Sequence, residues 1–342
     1  MPSTWLHQPI KTVSKTTAEA AQRHFSSLSG PPGALGTLAE IAERMAAMQE
    51  RPDPVADPVQ LTLFAADHGV AKSGVAGTTT QMTSAWLHNC VHGTSASAVM
   101  ARSLGILYEV VDVGLFFDPG PLPGLVKHRA GSGTTDFRRT PAMSEEQLFT
   151  ALDAGQQAVE RAHLAGAKIF IGGEFGAGKT TSAGALACAL LGLPPETVSG
   201  PGSGISPEFM AIKANIMQNA VDHHQKFFST PLDVLRRLGG FEIAALCGAY
   251  VKCGQIGMTV IVDGFSSSVA ALIAISIHPP LKQWLFFGHR AAEPGQYAIF
   301  RSVEMRPLLN LDMRLGEGTG ALAALPLLRT ACALLQSAAE PV

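Results

Sequence analysis

Residues Gly173–Thr180 read Gly-Glu-Phe-Gly-Ala-Gly-Lys-Thr and follow the apolar run Lys168–Gly172. Backbone N–H groups of a glycine loop ahead of a helix, with a lysine beside them, can cradle a phosphate. The spacing also matches the phosphate loop of nucleotide hydrolases. A second glycine nest, Gly200-Pro201-Gly202-Ser203-Gly204, precedes a helical pattern over Pro207–Lys226 that carries Lys213. A third, Gly316-Glu317-Gly318-Thr319-Gly320, sets a carboxylate where missing Cβ atoms let a ligand approach the backbone. Glu174 puts another acid inside the first loop. Each residue also has a bland reading. Glu317 could be a solvated loop acid, Glu174 a balance for a helix dipole, and Lys213 a surface lysine. A hydrolase would use Thr259–Val262 with Asp263 as its magnesium-holding strand. In that case Glu174 would face phosphate oxygens, and the loops at Gly200 and Gly316 would have no role.

The elements that must position these loops alternate along the chain. Strands are predicted at Gln60–Ala66, Leu107–Val113, Lys168–Gly172, Thr259–Val262 and Trp284–Phe287. The first four are aliphatic without strict alternation, as expected of strands covered on both faces. Helices are predicted at Thr83–Ser103, Ser144–Ala165, Thr180–Leu191, Pro207–Lys226, Phe241–Cys253 and Ser266–Ile277. Ser144 and Gln147 form a capping box that should start the second of these. The alternation implies an α/β fold with a mostly parallel sheet and helices on both faces. Polar residues recur at the predicted strand ends: Asp67-His68-Gly69, Asp112, Glu174, Asp263-Gly264 and His289-Arg290. In an open parallel sheet the ligand sits outside those ends, so these groups should ring one crevice.

The termini differ. Thr16–Ser29 and Leu35–Gln49 read as two helices, Gly320–Ser337 as another, and no strand is expected before residue 59. The expected division is a small helical domain begun by residues 1–58, an α/β domain over 59–315, and a glycine loop plus helix over 316–342 that returns to the first part. Arg51–Pro58, with three prolines, is the linker. Phe116–Thr140 is predicted to be long and irregular, which in a compact domain often marks function.

The 342 residues are 46% hydrophobic and 15% charged, which suits a large core with an oligomer interface. A net charge of −2 offers no basic field for nucleic acid. The five dispersed cysteines have no metal-type pairing and fit reduced core residues of a cytoplasmic protein. Met1–Thr17 is polar and lacks an apolar h-region, so no signal peptide is expected. No membrane span is expected either, because Val260–Ile277 is interrupted by Asp263, Gly264 and serines. His68 and His289 each adjoin an acid, and His223-His224 point to different helix faces, so hydrogen-bonding roles are expected rather than metal ligation.

With these residues in view, the chain resembles the nicotinate-nucleotide–dimethylbenzimidazole phosphoribosyltransferase family from about Pro31 to Leu328. The matching segments include Pro31–Gly36, Ala66–Ala71, Gly133–Phe137, Gly173–Thr181, Gly200–Gly204, Gly240–Ala245, Val262–Phe265, His289–Gly295 and Arg314–Ala321, in the family's order. The resemblance implies a Rossmann-like fold, a homodimer, no cofactor and no metal requirement. It also implies transfer of phosphoribose from nicotinate mononucleotide to 5,6-dimethylbenzimidazole, with Glu317 as general base. Glu174 would hold the ribose or stabilise charge at its anomeric carbon. Gly176, Gly178, Lys179 and Thr180, with Gly202, Ser203, Gly204 and Lys213, would hold the phosphate. Gln81, Met82, Phe175 and Leu315 would line the base pocket, and Asp263, Gly316 and Gly318 complete the expected substrate contacts. The chain departs from the family at Lys179, commonly Asn, at Ala76-Gly77-Thr78, where the base-contacting loop is shortened, at Gly288, commonly Ser, and at Gln296, commonly His. These departures bear on the acceptor more than on the reaction type. A non-catalytic paralogue that binds a benzimidazole or nucleotide is the other alternative, and retention of both Glu174 and Glu317 argues against it.

Overall fold

The computed structural model describes residues 4–27, 31, 33–74, 79–200 and 207–336. Helices α1 (Lys15–Ser27) and α2 (Thr37–Gln49) come first, then strand β1 (Val59–Ala66). Helices α3 (Thr80–Val91) and α4 (Ala96–Leu104) lead to β2 (Leu107–Gly114) and β3 (Leu125–Lys127). Next come α5 (Glu145–Leu164) and β4 (Ile169–Phe175). Helices α6 (Lys179–Leu191), α7 (Pro195–Val198), α8 (Pro207–His224), α9 (Pro231–Leu238) and α10 (Phe241–Ile256) precede β5 (Thr259–Val262). The chain closes with α11 (Phe265–Ile277), β6 (Leu285–Arg290), α12 (Gly295–Val303), β7 (Pro307–Asn310) and α13 (Thr319–Gln336).

Among the described residues the strands form one parallel sheet in the order β3-β2-β1-β4-β5-β6-β7. Strand order reverses between β1 and β4, and a crevice opens at such a switch point. β1 and β4 are buried along their whole length, which is why Val-Gln-Leu-Thr-Leu-Phe-Ala-Ala shows no polar alternation. Their register pairs Phe64 with Glu174 and Ala65 with Phe175. Glu174 and Phe175, expected beyond the strand, are therefore its last residues. The parallel ladder with β1 continues through Gly172-Gly173 despite their low strand propensity.

Three further expectations are corrected. The helix predicted over Thr83–Ser103 is two helices. Gly93, at φ 78°, follows the end of α3, and Ser95 restarts the chain as α4 by accepting the Ala98 N–H at 3.2 Å. The irregular stretch Phe116–Thr140 contains β3, and Arg129 anchors it by pairing with Asp112 and donating to the Leu115 and Phe117 carbonyls. β7 has no counterpart among the predicted strands, because Pro307–Asn310 is a short edge segment only partly buried. The capping box at Ser144 and Gln147 is present, with bonds of 2.9 and 3.1 Å.

Packing on the two faces uses different means. α5 and α10 meet backbone to backbone. A Cβ on Gly155 would lie 1.8 Å from the Ala245 carbonyl oxygen, and one on Gly248 would lie 2.2 Å from that of Leu152. On the other face α13 packs against α2 and α1 as well as β4, β5 and β6. The terminal helices and the sheet thus share one apolar cluster, with Ile41 and Met45 in it beside Ile261 and Leu325. α13 is long and apolar enough to cross a membrane by composition, but 56% of that window is buried against these elements.

Replacing Gly155 with Ala should destabilise the protein by about 2–3 kcal/mol in urea unfolding, because the helices cannot stay at this separation. A change below about 0.5 kcal/mol would show that the contact yields without cost.

Candidate active site

The crevice is built from turns that leave the carboxyl ends of β1, β4, β5 and β6. At the end of β1, Asp67 accepts from the Phe116 N–H at 3.1 Å and the Ala177 N–H at 3.3 Å. Burial pushes its carboxyl above the ordinary range, against those hydrogen bonds. His68 bonds Glu242 at 2.7 Å with both side chains fully buried. The β4 turn crosses this edge closely, since a Cβ on Gly176 would lie 1.6 Å from the Ala66 carbonyl oxygen. Gly178, at φ 90°, precedes the first residue of α6. The Thr181 and Ser182 N–H groups bond the Gly178 carbonyl at 3.1 and 3.2 Å, and the positive end of α6, with Lys179 and Thr180, opens onto the crevice as a candidate anion cradle.

Glu174 occupies the tip of β4 with 3% exposure. Lys179 donates to its Oε1 and to its carbonyl, both at 3.0 Å, and the Ser267 hydroxyl on α11 donates to its Oε2 at 2.9 Å. Burial raises the Glu174 carboxyl above its usual range, although Lys179 works against the shift. Burial lowers Lys179, but the charge and hydrogen bond of Glu174 outweigh it and hold the ammonium above its ordinary value. The loop lysine of the hydrolase-like pattern is thus engaged by the acid five residues before it.

Glu317 lies in the loop that leads into α13. Gly316, Glu317 and Gly318 take φ values of 83°, 60° and 75°, three left-handed residues in succession. For a residue with a Cβ this conformation costs about 1–2 kcal/mol. Asp263, at the end of β5, compensates by gripping the loop. Its Oδ2 accepts from the Gly318 N–H at 3.0 Å, and its Oδ1 accepts from the Gly320 and Ala321 N–H groups at 2.8 and 3.0 Å. Asp263, expected among the substrate contacts, here holds the loop through both of its oxygens. The Glu317 N–H also bonds the Glu174 carbonyl at 3.3 Å, tying the loop to β4. The loop lies on Gly173, where a Cβ would come 2.5 Å from the Glu317 carbonyl carbon. Glu317 itself is 1% exposed. The Ser97 hydroxyl donates to its Oε2 at 2.8 Å, and its Oε1 has no partner among the described residues.

Lys213 reaches in from α8. It is 2% exposed and donates to Thr180 Oγ1 at 3.1 Å and to the Gly200 carbonyl at 3.3 Å. Burial lowers its ammonium, and the nearby charge of Glu293 opposes the shift. It is therefore an interior cation beside the start of α6 and not a surface lysine. His289 packs under the Glu317 loop, 3.6 Å from Asp263, and a Cβ on Gly320 would overlap its ring at 1.9 Å.

The structure brings Glu174, Lys179, Thr180 and Gly316 around one cleft, together with His289, Glu293 and Arg314. Glu317 and Gly318, the next residues of the loop, are buried and are not among the residues that line this cleft. Gln81 and Met82 lie exposed on α3, Leu315 is partly exposed, and Phe175 is in the core. Gly202, Ser203 and Gly204 lie outside the described residues. Sequence reasoning missed Ser97, Ser267 and Glu293. The run Ser266-Ser267-Ser268 on an otherwise apolar helix is a readable signal for Ser267, whereas Ser97 in a small-residue stretch offers none. Two larger hollows, of about 450 and 510 Å³, lie beside α2 away from this edge and hold no buried carboxylate.

Strand order and crevice together define a Rossmann-like α/β protein whose carboxyl edge offers an anion cradle flanked by two buried acids. A family model described as phosphoribosyltransferase matches residues 10–341. The chain is 43% identical over 334 residues to the nicotinate-nucleotide–dimethylbenzimidazole phosphoribosyltransferase of Pseudomonas syringae pv. syringae, covering 98% of this chain and 95% of the relative. It is 46% identical over 327 residues to the enzyme of that name from Pseudomonas putida strain W619, with 96% and 92% covered. The crystal structure of CobT from Thermus thermophilus is similar with a TM-score of 0.91 at 37% identity, covering 94% of this chain and 96% of that one. The chain belongs to the nicotinate-nucleotide–dimethylbenzimidazole phosphoribosyltransferase family.

Asp263→Ala would leave three buried loop N–H groups without an acceptor. It should cost at least about 3 kcal/mol in urea unfolding. A loss no larger than that of an average point substitution, about 1 kcal/mol, would show that the loop holds its shape without the aspartate.

Proposed function

We propose that this chain transfers the phosphoribosyl group of nicotinate mononucleotide to 5,6-dimethylbenzimidazole or a related aromatic base, giving nicotinate and α-ribazole 5'-phosphate. The names of its relatives support the substrates. The observation that carries the mechanism is Glu317: a buried carboxylate on a glycine-flanked, left-handed turn, with one oxygen held and the other without a partner among the described residues.

The leaving pyridinium departs as a neutral ring, so no acid need protonate it. Attack by the acceptor nitrogen from the opposite face inverts C1' from β to α. The acceptor's second nitrogen carries a proton that becomes acidic as the C1'–N bond forms. Glu317 Oε1 takes that proton, a role worth roughly 10²–10⁴-fold in rate. Glu174 faces positive character developing on the ribose, with Lys179 and Ser267 fixing its orientation. The 5'-phosphate is received by the opening turn of α6, Thr180 and Lys213, with Gly202–Gly204 as a second cradle. Phosphate charge would offset the burial that depresses Lys213. Gln81, Met82 and Leu315 border the acceptor, and Phe175 supports the site from the core. Asp263 acts by shaping the Glu317 loop. Against the hydrolase alternative, β4 runs through Gly173–Phe175 and Glu174 holds Lys179.

The proposal includes a homodimer. Phe209 and Ile212, one turn apart on α8, are each 46% exposed and support such an interface. Light scattering at micromolar concentration should return twice the chain mass, and a monomer would refute the dimer. Mass spectrometry of the protein incubated with nicotinate mononucleotide and a panel of aromatic bases should show nicotinate and a new nucleoside phosphate. Glu317→Gln should lower kcat by roughly 10²-fold or more while nucleotide binding persists. Undiminished turnover in that variant would remove Glu317 as the base.

A further inference from the structure

Behind Glu317 lies a small polar assembly that the reaction as written does not use. The Ser97 hydroxyl donates to Glu317 Oε2 at 2.8 Å, and Ser95 Oγ stands 3.0 Å from Ser97 Oγ. An ionised carboxylate can only accept, so Ser97 gives its single proton to Glu317 and the Ser95 hydroxyl gives its own to Ser97. Ser97 is fully buried, and Ser95 is 6% exposed. Ser95 is also the residue that caps α4, through its bond to the Ala98 N–H. The chain therefore breaks the α3–α4 segment where a hydroxyl in the first turn of α4 can meet the Glu317 loop. The start of that helix also favours negative charge.

The other groups in this wall are neutral. The Tyr108 hydroxyl is buried against Ser95, Ser97 and Cys90. Burial, and then the charge of Glu317, push the Cys90 thiol up to about 12, and burial likewise raises the Tyr108 phenol. Among the described residues no cation bonds Glu317 from behind: the partner of its carboxylate is a serine, whereas Glu174 has Lys179 and Ser267. A neutral donor orients a carboxylate without neutralising it. Two buried acids on one crevice are thus prepared differently, one as an ion pair and one as a carboxylate hydrogen-bonded on a single oxygen.

We propose that Ser97, backed by Ser95, is the positioning residue for Glu317, holding Oε2 so that Oε1 is presented to the acceptor's N–H. This deepens the reading of Glu317 as general base and rests on it. During turnover the acceptor N–H bond breaks, its proton moves to Oε1, the acceptor nitrogen bonds C1', and the nicotinate nitrogen leaves with the old bond pair. Ser97 keeps its proton throughout and fixes which carboxylate oxygen reacts.

The test is a double-mutant cycle followed by the release of nicotinate from nicotinate mononucleotide with dimethylbenzimidazole as acceptor. Ser97→Ala should lower kcat about 10- to 100-fold, the worth of one hydrogen bond to a charged group, with KM for the nucleotide within about twofold. In a Glu317→Gln background the same substitution should change kcat less than about threefold, because there is no base left to position. Ser97→Cys keeps the volume but offers only a weak S–H donor, so it should fall with the alanine variant and serves if the alanine variant does not fold. Equal losses from Ser97→Ala with and without Glu317 would mark a structural role and overturn the proposal. Undiminished kcat in Ser97→Cys would overturn it too. Full activity in Glu317→Gln alone would instead bring down the base assignment, and the positioning role with it.

Discussion

One buried carboxylate, Asp263, holds the shape of the loop on which the candidate site depends. Asp263 accepts three backbone N–H groups from the Gly316–Ala321 loop, and that grip keeps Glu317 in a backbone conformation that it would not choose. Glycines at 316 and 318 make the turn accessible, and the aspartate makes it stay. The sheet supplies the remaining constraint. Asp263 stands at the end of β5, buried by α11 and α13, so its oxygens are fixed by the same core that fixes the strands. The Glu317 carboxylate is thereby tied through Asp263 to the end of a buried strand.

The second organising fact is how much charge lies inside. Asp67, Glu174, Lys213, Glu242, Asp263 and Glu317 are all nearly or fully buried. A buried charge without compensation is costly. Compensation comes from local partners: backbone N–H groups for Asp67 and Asp263, a histidine for Glu242, Lys179 with Ser267 for Glu174. Compensation is incomplete at Glu242 Oε2, Glu293 Oε2 and Glu317 Oε1, buried oxygens with no partner among the described residues.

Much of this is readable from the residues alone. Aliphatic runs with polar ends announce buried parallel strands and a crevice at their carboxyl edge, and the glycines at 173 and 176 mark where backbone segments meet at that edge. The boundaries of β4 are not readable, because Gly172-Gly173 looks like a turn until its pairing with β1 is known. The division of Thr83–Ser103 escapes sequence reasoning for a related reason. Gly93 is a weak break inside an otherwise helical pattern, and what that break achieves, bringing Ser97 to Glu317, depends on a contact 220 residues away in the chain. Asp263 is legible as a crevice residue but not as a clamp. Its residue type and position fit a ligand contact or a backbone clamp equally well, and only three-dimensional proximity to residues 318–321 decides between them.

The 3.3 Å bond from the Glu317 N–H to the Glu174 carbonyl has a mechanical meaning. It joins the tip of β4 to the loop that leads into α13, so the two acid-bearing segments are linked directly through their backbones. Gly173, pressed beneath the joint, is the point where a single added methyl group would push on both segments at once.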